Sequence, residues 1–206
     1  GAVDRPSRER DGRGGALAVA RGLFLAVLVY APWAYGCTRL WAIDILNIVL
    51  FAVLGLWLFG ALVARARPQV PAPVLIGVTW LLLQGWWMTA NAGFSFDPAL
   101  AAHPRPQLAA KWPGAVDFAA AQPTMVTLTA ILGAVCLACD TASSRRWRRR
   151  LVLTMALAGV SVIVLGLAQK IFRAPGIFWQ AEGHAPTFFG PFRYHANAGS
   201  FINLVW

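Results

Sequence analysis

Between about Gln169 and Ala198 the chain gathers most of its polar side chains: Lys170, Arg173, Glu182, His184, Arg193, His195 and Asn197. A guanidinium presents a planar fork of donors to an oxyanion, so Arg173 and Arg193 are candidates to grip a phosphate. Glu182, His184 or His195 can exchange a proton with a sugar hydroxyl. His195 and Asn197 stand where a new apolar segment begins and would line its entrance. Aromatic residues and glycines alternate with these groups, the composition expected of a segment that hugs a membrane surface and presents polar atoms to an amphiphilic substrate. Each role has a plain alternative, because interfacial arginines bind lipid headgroups and loop histidines are commonly just solvated.

Other chemistries find no support in the sequence. It holds no P-loop, dinucleotide-binding glycine motif, zinc-protease helix motif or nucleophile elbow. Cys136 and Cys139 lie within an apolar run without histidines at ligand spacing, and Cys37 stands apart, so no metal site and no disulfide framework is expected. No acidic pair has the spacing of a nucleotide-sugar glycosyltransferase's metal site, and no cofactor is implied.

The elements that must position these residues follow from composition. Of 206 residues, 58% are hydrophobic and 13% charged, and the mean hydropathy is +0.59. That balance excludes a soluble globular domain, a disordered chain and a collagen-like repeat. A bilayer core about 30 Å thick takes about 20 residues of helix. Five segments meet this need, at 16–35, 41–64, 74–89, 124–139 and 151–167, and a sixth starts near Gly199 and runs to Trp206. The expected fold is therefore an all-α, polytopic transmembrane helix bundle behind a basic tail at 1–15. The chain opens on Gly1 and stops at Trp206 inside an apolar run, as a piece of a longer protein would.

Eighteen Lys and Arg against eight Asp and Glu give a formal charge of +10. The basic residues flank apolar segments, at Arg5 to Arg13, at Arg65 and Arg67, and from Arg145 to Arg150, so membrane topology explains them better than nucleic acid does. These flanks alternate along the chain, which puts them on one side. By the positive-inside rule that side and the N-terminus are cytoplasmic. Arg21, one turn into the first segment, is expected to snorkel to the same face. The opposite face receives loops 91–123 and 169–198. The first, with Pro98, Pro104, Pro106, Pro113 and Pro123, is expected to be irregular or to hold a short interfacial helix. Asp44 is the carboxylate expected closest to a membrane segment, paired with Arg39 or hydrated, or else functional.

The run Phe189-Gly190-Pro191-Phe192-Arg193-Tyr194-His195-Ala196-Asn197-Ala198-Gly199-Ser200-Phe201 leads straight into the sixth segment. It resembles the signature that opens the core region of the O-antigen ligase and O-antigen polymerase superfamily, and the preceding helices are similar in layout to that family's N-terminal half. The likeness is close over about fifteen residues and loose elsewhere. Many members carry a second asparagine that this stretch lacks, so Asn197 aligns with a one-residue shift. The resemblance implies a bacterial inner-membrane enzyme of lipopolysaccharide or polysaccharide biosynthesis. Such an enzyme moves a glycan from an undecaprenyl-diphosphate carrier to an acceptor hydroxyl, on a lipid or a glycan, at the periplasmic face. Within it Arg193, then Arg173, would contact the diphosphate, and His195 and Asn197 would shape the substrate entrance. The family's catalytic His and gripping Arg would lie beyond Trp206, leaving this portion inactive alone. A non-enzymatic transporter or flippase is the alternative, disfavoured by helix interiors that read as nearly uncharged.

Overall fold

The structure, a computed structural model, describes residues 8–97, 99, 101–180 and 188–205, with side chains from residue 15 onwards. Glu182 and His184 lie outside the described residues. Six helices follow one another: α1 (Arg8–Trp33), α2 (Leu40–Ala64), α3 (Ala72–Ala90), α4 (Phe118–Ser143), α5 (Arg145–Ile171) and α6 (His195–Val205). The first five contain stretches long and apolar enough to cross a membrane. The chain is a helical, multi-pass membrane protein. Helices dominate because a backbone in hydrocarbon must satisfy its own hydrogen bonds.

Most helices overrun the apolar segments that announce them. The charged run Arg145 to Arg150 is not a loop but the opening turns of α5, and the sixth helix opens at His195, ahead of Gly199. Pro123, expected to close a loop, lies inside α4. The start of α4 is fixed by Asp117, whose Oδ1 accepts the Ala119 N–H at 2.9 Å as an N-cap. At its far end α2 stops on Arg65 in the left-handed region, with the Ala66 N–H returned to the Ala61 carbonyl at 2.9 Å.

The chain forms two compact units, Gly1–Pro68 with Asp140–Trp206, and Gln69–Cys139. In the first, α1 and α2 are antiparallel: Gly60 near the end of α2 sits against Ala16 and Leu17 at the start of α1. Helix α5 runs parallel to α1, since Arg21 faces Trp147 while Trp33 donates its indole N–H to Ser161 Oγ at 2.9 Å. The packing thus gathers the start of α1, the end of α2 and the start of α5 at one basic end. Tyr35, Gln180 and Phe192 collect at the other.

In the second unit α3 packs on α4 through Gly85, which leaves room for Met125, and through a Trp86 to Thr129 hydrogen bond of 3.0 Å. Loop 91–123 is neither wholly irregular nor helical. It holds an antiparallel hairpin of β1 (Phe94–Phe96) and β2 (Ala102–Pro104), pairing Ser95 with His103. Asn91, fully buried, organises the rest: its amide donates to the Ala109 and Trp112 carbonyls at 3.0 Å each, and its Oδ1 accepts the Ala109 N–H at 2.9 Å.

Candidate functional site

The signature stretch folds into a tight turn lodged against α5. Phe189 and Phe192 exchange backbone hydrogen bonds of 3.0 and 3.1 Å, and Gly190 between them has φ +58°. The turn approaches so closely because α5 presents Gly166 beneath the Phe189 ring, where a Cβ would collide. The Phe192 ring is buried against Gly36, whose own φ is +60° and whose Cβ, if present, would lie 2.6 Å from the ring. Only glycine suits both demands there. From the other side Phe201 of α6 meets Phe192, ring centres 5.6 Å apart.

Beneath this turn lies a cavity of about 250 Å³ walled by Leu28, Pro32, Cys37, Met155, Phe192 and Phe201 among others. A neighbouring cavity of about 260 Å³ between α5 and α6 is lined by Gly159, Val160, Ile163 and Ile202, and Val205 belongs to both. Their walls are almost entirely hydrocarbon, an environment that takes an apolar chain and offers a charged group nothing. The Cys37 thiol donates to the Ala31 carbonyl at 3.3 Å, and burial pushes its pKa up.

Polar groups surround the turn without entering the cavity. Arg193 directly follows Phe192, is exposed, and has its guanidinium 5.9 Å from the Tyr194 ring. Arg173 follows the end of α5, exposed and in the left-handed region. His195 and Asn197 occupy the first turn of α6, both exposed, with the Asn197 N–H donated to the Tyr194 carbonyl at 3.1 Å. The four expected residues therefore share one end of the unit, exposed and outside the lining of both apolar cavities. An aromatic corner stands at the same end: Tyr35 meets Phe178 edge-on at 5.4 Å and donates its hydroxyl to Gln180 at 2.9 Å.

Three polar residues of consequence escape a reading of the sequence. Gln169, 2% exposed, continues the buried stripe Val162–Gly166 of α5, and neither of its amide atoms has a hydrogen-bond partner among the described residues. Its position three residues after Gly166 on that stripe was the available signal. Asp140, 4% exposed, stands in the last turn of α4 and accepts Arg21 at 2.9 Å and the Trp57 indole N–H at 3.0 Å. Arg21 thus pairs within the protein instead of snorkelling free. Asp140, not Asp44, is the carboxylate held among the helices; Asp44 is exposed, and Arg39 lies over the Tyr35 ring. Asn91 is the third, a loop residue acting as a core.

Among the described residues no group of three His, Cys, Asp or Glu is placed to hold a metal ion. No family model matches the chain, and no curated protein or solved structure matches it.

Proposed function

We propose that this chain is the N-terminal part of an O-antigen ligase-like glycosyltransferase of the bacterial inner membrane, which transfers a glycan from an undecaprenyl-diphosphate carrier to an acceptor hydroxyl on the periplasmic side. The observation that carries this reading is the partnership of the Phe189–Phe192 turn with the apolar cavity beneath it. The stretch that resembles the family signature contributes Phe192 and Phe201 to the wall of an apolar space of about 250 Å³, and Arg193 directly follows Phe192.

Transfer from such a carrier expels a lipid diphosphate. A guanidinium at the mouth stabilises the charge that grows on that leaving group, while hydrocarbon walls hold the first isoprene units. Arg193 takes the first role and Arg173 the second cationic contact. His195 and Asn197, one turn into α6, flank the entrance. The general base that accepts the acceptor's proton belongs to the family's large periplasmic loop and is not assigned to a residue here.

The alternative, a transporter or flippase, draws on one observation: the Arg21–Asp140 pair within the helices, since ionisable groups in membrane spans mark transport paths. The pair lies close to the basic end, far from the apolar cavity, which suits a structural tie better than a midplane binding site.

Glycan transfer from a polyprenyl-diphosphate donor, assayed in membranes with the full reading frame, tests the proposal. An Arg193→Ala variant is expected to fall at least about tenfold, which corresponds to about 1.4 kcal/mol of transition-state stabilisation. Transfer that survives the substitution removes Arg193 from the site. A folded parent that transfers to no acceptor points to the transporter.

A further inference from the structure

The opening of α5 concentrates positive charge that an anionic group would complement. Arg145, Arg146, Arg149 and Arg150, with Leu153, line an open surface cavity of about 590 Å³ along the face of α5, at the basic end of the first unit. They stand at the N-terminus of a 27-residue helix, the positive end of its dipole, with no acidic residue in the first turn. Arg145 and Arg149, and Arg146 and Arg150, are like charges one turn apart, an arrangement that disfavours the helix. Ser144 at the cap makes no side-chain hydrogen bond, so the first N–H groups receive no oxygen from it.

Among the described residues no carboxylate of the unit lies within ion-pair distance of these arginines. Among the described residues the ion-paired carboxylates are Asp140, taken by Arg21, and Asp97, taken by His103 in the other unit. Arg150 lies over the Trp147 ring at 4.8 Å, which orients it without neutralising it.

We infer that this cavity is a binding site for an anionic lipid carrying two phosphates in its headgroup. The two rows supply two guanidinium pairs side by side, each able to hold one phosphate through charge-assisted, forked hydrogen bonds. The row of Arg145 and Arg149 continues to Leu153, half exposed, and Val152 and Leu157 beyond it are exposed as well. Apolar surface running directly from the phosphate grip is what an acyl chain requires and a soluble polyanion does not. The site stands at the end of the unit opposite to Arg193 and depends on no assumption about glycan transfer.

The test uses the full chain in detergent, with bound lipid exchanged for a zwitterionic one. Tetraoleoyl diphosphatidylglycerol and dioleoyl phosphatidylglycerol are titrated at equal phosphate, with uptake read by native mass spectrometry and by melting temperature. The parent should retain the two-phosphate lipid preferentially and melt higher with it. R145Q/R149Q and R146Q/R150Q should each weaken that binding at least about tenfold, the scale expected on losing a forked phosphate contact. R65Q/R67Q, at the same end, should bind as the parent does. Arg145 and Arg149 are exposed and line the cavity with residues of α5, so R145Q/R149Q remains informative if R146Q/R150Q fails to fold. Equal retention of the two lipids, or undiminished binding by R145Q/R149Q, would overturn the inference. A full melting shift from inorganic pyrophosphate alone would overturn the lipid as occupant.

Discussion

Arg21 Nη2 and Asp140 Oδ2 stand 2.9 Å apart, joining α1 to the last turn of α4 across 119 positions of sequence. Trp57 of α2 donates to the same oxygen at 3.0 Å, and the Arg21 guanidinium lies 5.9 Å from the Trp147 ring. One carboxylate therefore ties α1, α2 and α4 together, and Arg21 extends the tie to α5. Removing it leaves a largely buried cation without its partner, and Asp140→Ala is expected to cost about 3–5 kcal/mol. The double variant Arg21→Met/Asp140→Leu should recover most of that loss. Thermal unfolding in detergent measures both, and a single variant as stable as the parent would dismiss the pair as incidental.

Gly36→Ala should destabilise the unit twice over, through its φ of +60° and through the Phe192 ring 2.6 Å from the new Cβ. The backbone part alone amounts to about 1–2 kcal/mol. Phe192→Leu in the same chain relieves the collision and leaves the backbone cost, so the double variant should melt above Gly36→Ala. Equal melting temperatures would mean that the ring moves aside freely.

Asn91→Ala is expected to release the loop it organises, since the Ala109 and Trp112 carbonyls and the Ala109 N–H lose a partly buried partner, at about 0.5–1.5 kcal/mol for each bond. Thermolysin should then cut within 105–113 while the helices stay intact. A digestion pattern identical to the parent's would contradict this role.

The hairpin carries its own acid sensitivity. The Ala101 N–H on Asp97 Oδ1 at 2.9 Å, and secondarily His103 at 3.4 Å, hold the Asp97 carboxyl below its usual range. A carboxyl lowered by folding contributes stability above its unfolded value of about 3.9 and loses it as pH falls through the folded value. Hydrogen exchange at the Ala101 amide should stay protected from neutral pH to about 5 and lose protection in the acid range below that, once intrinsic rates are corrected for. Asp97→Asn should abolish this dependence.

Burial that pushes the Cys37 thiol up also predicts its reactivity. Thiolate is the nucleophile, so maleimide labelling of Cys37 near pH 7.5 should be markedly slower than that of an exposed cysteine placed at Thr38. Comparable rates would show that the thiol leaves the Ala31 carbonyl readily.

The membrane spans were legible because bilayer length is a local property, written in runs of apolar residues. What lay outside those runs was not. Arg145 to Arg150 looks like a loop because charge ends an apolar run, yet arginine is a good helix former and the chain continues helical through it. Asp140 lies one residue past Cys139, where hydropathy places the end of the fourth segment, and its partner is far away in sequence, so the tie to Arg21 leaves no local trace. The hairpin escaped because its strands are three residues each, too short for a period to show. Arg193, Arg173, His195 and Asn197 stand out in the sequence by type, and all but Arg173 by the signature stretch. The apolar cavity comes from Gly36, Phe192 and Phe201, whose convergence only the packing creates.

Helix α3 has 19 residues and α2 has 25. At 1.5 Å per residue these are rods of about 28 and 37 Å facing a hydrocarbon slab of about 30 Å. Upright, α3 barely reaches both surfaces and α2 overshoots them. Hydrophobic mismatch then makes the protein sensitive to bilayer thickness: α2 answers a thinner membrane by tilting, whereas α3 answers a thicker one only by drawing the lipid inwards. The shortest span, not the longest, fixes the membranes this chain can inhabit without strain.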